Sequence, residues 1–187
     1  MEYAAVAVVF AVVASIVAVG YLVTATSNPG AAINQVVTPW TRNYRANPAI
    51  TAGGYSAGQI VGVPQVINPA VGTSLACLLE SICLKCKSNI TPALTLYFLD
   101  TPPVGTYTDQ ASLSWNATDF QTIIATHTVA TGDWISAGSQ ATASYGGIGK
   151  ALVLTSKQLT VVAVATGSFT PTGTSDLTFD YNLMQEG

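Results

Sequence analysis

LTFDYNL, residues 177–183, decides the fold. Successive side chains of an extended chain point to opposite sides, so Leu177, Phe179, Tyr181 and Leu183 share one face. Thr178, Asp180 and Asn182 share the other. One apolar and one polar face is the pattern of a strand half-buried in an antiparallel sheet. Working outward, short segments of the same kind recur between turn signals. Strands are expected over 56–63, 74–87, 93–99, 120–129, 133–144, 150–155, 158–166 and 176–184. Gly138 interrupts the segment 133–144. Residues 116–121, NATDFQ, read as a turn or one helical turn, with Asn116 or Thr118 as its cap. About eight strands at this spacing predict an all-β fold, an antiparallel β-sandwich of jelly-roll type over 55–187.

Residues 3–23, YAAVAVVFAVVASIVAVGYLV, are apolar apart from Ser15 and Gly20. About 20 such residues match a hydrocarbon layer about 30 Å thick, so one long hydrophobic N-terminal α-helix of membrane-spanning length is expected over 1–27. Tyr3 and Tyr21 lie near its ends, where amphipathic rings favour an interface. Glu2, rather than Lys or Arg, precedes it, unlike a cleaved secretory signal. Two surroundings suit such a helix: a lipid membrane, or a bundle of copies of itself in which Ala, Ser and Gly allow close approach. Tyr3, Val6, Phe10, Val13, Ile16, Val17 and Tyr21 are the residues expected to meet that membrane or bundle. Residues 28–54, with Pro39, Pro48, Gly53 and Gly54, read as an extended linker. Within it Trp40, Arg42, Tyr44 and Arg45 are the expected assembly contacts.

Charged residues are 8% of the chain and hydrophobic ones 49%. The surface of an ordinary soluble domain is roughly a quarter to a third charged, so burial in an assembly is expected here. Six Lys plus Arg and a net charge of -3 are too few cations for a phosphate-tracking surface, so no direct nucleic-acid partner is expected. The hydrophobic fraction also excludes a disordered chain.

No constellation predicts catalysis. Cys77, Cys83 and Cys86 are an odd count, which excludes a fully paired disulfide framework. Cys83 and Cys86 have the spacing of half a zinc knuckle, but residues three apart on a strand diverge and no second pair exists. His127, flanked by Thr126 and Thr128, is the only histidine, and no nucleophile elbow accompanies it. Asp100, Asp109, Asp119, Asp133 and Asp176 lie at segment ends, where turn and cap duty is expected because Asp accepts backbone N–H bonds. Asp100 and Asp109 flank one loop, which makes them the nearest thing to a cation pair. Residues 145–150, YGGIGK, lack the phosphate-loop spacing and a following helix. The chain is therefore expected to be no enzyme, with no catalytic residue, metal, cofactor or small-molecule substrate.

Four segments carry a family resemblance: Tyr55-Ser-Ala-Gly58-Gln-Ile-Val-Gly62, Leu94-Thr-Leu-Tyr-Phe-Leu-Asp100, Thr108-Asp109-Gln-Ala111 and Thr118-Asp119. Together they resemble small bacteriophage virion proteins of the capsid-associated or decoration type, over roughly residues 55–130. Gln59 and Gln110 depart from that pattern, which has Asp and Asn at these places. The resemblance implies virion assembly without catalysis.

The expected function is that of a non-enzymatic virion structural protein: a minor capsid, vertex, spike-base or decoration protein anchored by its apolar helix. Its expected partners are copies of itself and other capsid subunits, with a host membrane before assembly. A pilin-like filament subunit with the helix as its core is the second expectation, and a membrane-anchored β-sandwich binding module the third.

Overall fold

A computed structural model describes residues 40–68 and 75–185. Ten strands are formed: β1 (Trp40–Ala46), β2 (Gln65–Ile67), β3 (Ala76–Cys86), β4 (Leu94–Leu99), β5 (Ile123–Val129), β6 (Ile135–Ala137), β7 (Gln140–Tyr145), β8 (Lys150–Val153), β9 (Leu159–Ala165) and β10 (Leu177–Gln185). A six-stranded sheet runs β1-β10-β3-β7-β6, with β8 also on β3, and a four-stranded sheet runs β2-β9-β4-β5. Every pairing is antiparallel. The pairs nest: β1 takes β10, β2 takes β9, β3 takes β7 and β8, and β4 takes β5. Two sheets linked in this way make a jelly roll.

Alternation explains how the sheets close on each other. Leu177, Phe179, Tyr181 and Leu183 of β10 are each 0% exposed. Leu94, Leu96 and Phe98 of β4 face them from the other sheet in the same core. The rings of Phe98 and Tyr181 meet edge to face at 6.1 Å and tie the layers together. A second cluster lies on the far side of the smaller sheet. There Leu99, Val162 and Val164 pack with Ile60 and Tyr107, under Leu113 and Trp115.

Local chemistry sets the connections. The helical turn expected at 116–121 is α1 (Ala117–Gln121), and Asn116 caps it by accepting from the Thr118 N–H. Gly138, at φ +65°, turns β6 into β7, so the interrupted segment is a hairpin rather than one strand.

The expected architecture is corrected in its helix. The described residues fold as antiparallel sheets with one α-helix of five residues, Ala117–Gln121, and no long one. Among them no helix is long and apolar enough to cross a membrane. Their sequence alternates with period two or breaks at turns, which leaves no helical stripe to bury. The stretch 1–27, with Tyr3, Val6, Phe10, Val13, Ile16, Val17 and Tyr21, lies outside the described residues. Part of the expected linker also differs. Trp40–Ala46 pairs along its whole length with β10 and belongs to the larger sheet.

Candidate functional site

The loops at the ends of the sandwich are fastened by carboxylates. Asp109 accepts from the Tyr55 hydroxyl at 2.7 Å, the Gly62 N–H at 2.6 Å and the Thr51 N–H at 2.7 Å. Burial works to raise the Asp109 pKa, but these donors outweigh it and hold it below the ordinary carboxylate value. Burial first, and then the bond to Asp109, raises the Tyr55 phenol. The Tyr55 ring stacks on Phe169 at 4.7 Å. Gly62, at φ +73°, passes so close to Pro48 that a Cβ there would sit 2.6 Å from the proline Cβ. Two of the segments that carry the resemblance, 55–62 and 108–111, are thus knitted to each other. Ile60 N–H donates to Ala111, Gln110 N–H to Ile60 and Leu113 N–H to Gly58.

Asp119 does the same work at the next loop. It is 1% exposed and accepts from the Val104 N–H, the Gly105 N–H and the Tyr107 hydroxyl, each at 2.8 Å. Asp176 accepts from the Ser88 hydroxyl, the Thr172 N–H and hydroxyl, and the Gly173 N–H. In both, burial pushes the pKa up and the hydrogen bonds more than reverse it. Turn duty was legible for these residues; the distant donors, Val104, Gly105 and Tyr107 for Asp119 and Ser88 for Asp176, were not.

The outer face of the larger sheet has a different chemistry. Asn43 on β1, Asn182 on β10 and Ser81 on β3 form a side-chain ladder, with bonds of 2.9 and 2.6 Å. Next to it Arg45 donates to Asp180 at 2.7 and 3.2 Å, and Lys85 donates to the same carboxylate at 2.6 Å. The bond from Arg45 holds the Asp180 pKa low against burial, with Lys85 adding to it. The Asp180 bond and charge in turn raise the Arg45 pKa. Thr178 closes the row by donating to Asn47 at 2.9 Å. Along β1, β10 and β3 these side chains are bonded to one another across the face.

The structure places the expected assembly contacts on one strand, not on one surface. Trp40, Arg42, Tyr44 and Arg45 pair with Gln185, Leu183, Tyr181 and Asp180 along β1. By alternation Arg42 and Tyr44 share one side of β1 and Arg45 takes the other. Tyr44 packs against the core, with its hydroxyl buried and without a hydrogen-bond partner, whereas Arg45 joins the outer ladder.

The three cysteines are free. Cys86 is buried, while Cys83 is half-buried beside the Thr142 and Ser144 hydroxyls on β7. His127 lies with its ring edge against Tyr145 at 4.3 Å, and its Nε2 is buried without a partner. Burial lowers its pKa, Asp133 opposes this and Lys150 reinforces it. Asp133 accepts from the Tyr145 hydroxyl at 2.6 Å and from the Ala130 N–H. Both oxygens of Asp109 accept hydrogen bonds, one from Tyr55 and Gly62 and the other from Thr51. Among the described residues no group of three or more His, Cys, Asp or Glu side chains is placed to hold a metal ion.

Fold and surface together define the class: a jelly-roll domain with stapled loops and one open polar sheet face. No protein-family model and no curated protein matches the chain. Among solved structures, a chain of the Israeli acute paralysis virus full particle, heated to 63 degrees, is similar over 89% of this chain and 80% of that chain. The identity is 9% and the TM-score 0.28. No comparison supports the narrower likeness to bacteriophage proteins.

Proposed function

We propose that this chain is a structural protein of a virus particle, packing there against copies of itself or other capsid subunits. The observation that carries the reading is the outer face of the larger sheet. Across β1, β10 and β3 its polar groups Asn43, Asn182 and Ser81 already bond to one another, and Arg45 and Lys85 both pair with Asp180. Covering such a face strands few donors or acceptors, so a neighbour can be laid on it at small desolvation cost. The jelly roll is a fold from which capsids are built, but lectins share it, so fold alone does not decide. The scarcity of charge argues in the same direction. The whole chain is 8% charged, and five of its nine Asp and Glu residues serve as loop staples or ladder partners.

Mass spectrometry of particles purified from the producing host tests this. The protein is expected in fixed stoichiometry with the other capsid proteins. Asn182→Arg, which places an unpaired cation on the open face, is expected to leave the domain folded and to lower incorporation. Particles that lack the protein altogether would defeat the reading.

A further inference from the structure

On the outer face of the larger sheet, where β3 meets β7, the described residues line an open cleft of about 410 Å³. That is within the range that takes a small ligand, roughly 300–1,000 Å³. The strand register builds it. Thr178, Lys85 and Thr142 stand in one row across β10, β3 and β7. Lys87 and Gln140 extend the wall toward the end of the sheet, over a floor that includes buried Ala141.

Both lysines are held in place. Lys85 is tethered to Asp180 at 2.6 Å. Lys87 donates its ammonium to the Ser175 hydroxyl at 3.1 Å, while its main-chain N–H donates to the Asp176 carbonyl. An ammonium has three donors, and a single neutral hydroxyl leaves room for an anion at Lys87. One oxygen of the Asp176 carboxylate, Oδ2, is taken by four donors, from Ser88 and from Thr172 and Gly173 of its own loop. Around the cleft the cations Arg45, Lys85 and Lys87 stand against the carboxylates Asp176 and Asp180. One positive charge is left over, on a chain whose net charge is -3.

We propose that this cleft binds a small monoanion bearing hydroxyl groups, the chemistry of an acidic sugar. The ligand carboxylate meets the Lys87 ammonium. Its hydroxyls meet Gln140 and Thr142; the Thr142 hydroxyl donates to the Leu84 carbonyl and contacts the Cys83 thiol, which leaves one lone pair for a ligand donor. One surplus charge suits a carboxylate better than a phosphate dianion. Among the described residues no aromatic side chain lines the cleft, so they give a nucleobase nothing to stack on. The cleft is also larger than a bare anion needs. This inference does not rest on the virion reading, and it departs from the expectation that the chain has no small-molecule ligand.

Ligand-observed NMR titration of the full-length protein tests it, with sodium glucuronate as the probe and methyl glucoside and sodium acetate as comparators. Glucuronate is expected to bind with a millimolar dissociation constant, at least about tenfold tighter than either comparator. Lys87→Gln is expected to weaken glucuronate at least about tenfold without moving the melting temperature. Thr142→Val is expected to narrow the preference for glucuronate over acetate. Three results would each overturn the proposal: no glucuronate binding by the wild type at about 10 mM, equal binding of either comparator, or undiminished binding by Lys87→Gln.

Discussion

The two sheets present different outer faces. All seven residues of β9, in the smaller sheet, are buried. Leu159, Val161, Ala163 and Ala165 enter the main core, and Val162 and Val164 enter the second cluster beneath Tyr107 and Trp115. The larger sheet is covered on one side, and its other face is finished by hydrogen bonds between side chains. Burial stabilises in proportion to apolar area, so the second layer gives the smaller sheet what the larger one lacks. A continuous apolar run marks the strand covered twice, and an alternating run marks the face left to meet another molecule.

The strongest way to break this contrast is to remove apolar volume from the covered side. Leu99 is 0% exposed in the second cluster, and Leu99→Ala is expected to cost about 2–5 kcal/mol. Val153 on β8 is 67% exposed, and Val153→Ala is expected to change stability by less than about 0.5 kcal/mol. Urea unfolding of both variants checks the pair, and equal losses would erase the distinction.

A smaller effect is expected from loosening the loop that forms the cover. Asp119→Ala leaves the Val104 and Gly105 amides and the Tyr107 hydroxyl without their acceptor. The expected cost is about 1–3 kcal/mol. Hydrogen exchange at Val104 and Gly105 should quicken more than exchange in β10.

Acid sharpens the comparison last. Asp109, Asp119 and Asp176 all have folded pKa values below the ordinary one. Their stabilisation is present above the unfolded value of about 4 and is lost as pH falls through the folded values. His127 acts earlier and more weakly. Its folded pKa is lowered, so the unfolded chain takes up the proton first, and stability declines as pH drops below about 6.5. Melting temperature against pH should show a shallow fall and then a steep one. His127→Gln should remove only the shallow part; a curve unchanged by that substitution would contradict the assignment.

The strands with strong alternation were legible because their pattern is local. The face shared by Leu177, Phe179, Tyr181 and Leu183 and the cap at Asn116 were both visible in a few consecutive residues. β1 was hidden because Arg42 interrupts the side that Trp40, Tyr44 and Ala46 share in WTRNYRA. Tyr44 and Ala46 pack against the core, and the strand is also held by its ladder to β10 and by the bond from Arg45 to Asp180, 135 residues away in sequence. The segment 56–63 reads as a strand but makes only isolated bridges, at Gln59 and Ile60, because Gly58 and Gly62 both turn at positive φ. The chain pairs again only at β2, Gln65–Ile67. For the cleft, Lys85 and Lys87 were visibly two apart on one side of a strand, but nothing local brings Thr142, Thr178 and Ser175 to them.

The sequence by itself determined the period-two strands, the scarcity of charge and the carboxylates at turns, since each follows from the chemistry of neighbouring residues. Only the tertiary structure decided which strands lie side by side, which sheet is covered twice, and which charges are cancelled across a face. Those outcomes depend on register between segments far apart in sequence, and no local pattern encodes the contact that Asp180 makes with both Arg45, 135 residues away, and Lys85, 95 residues away.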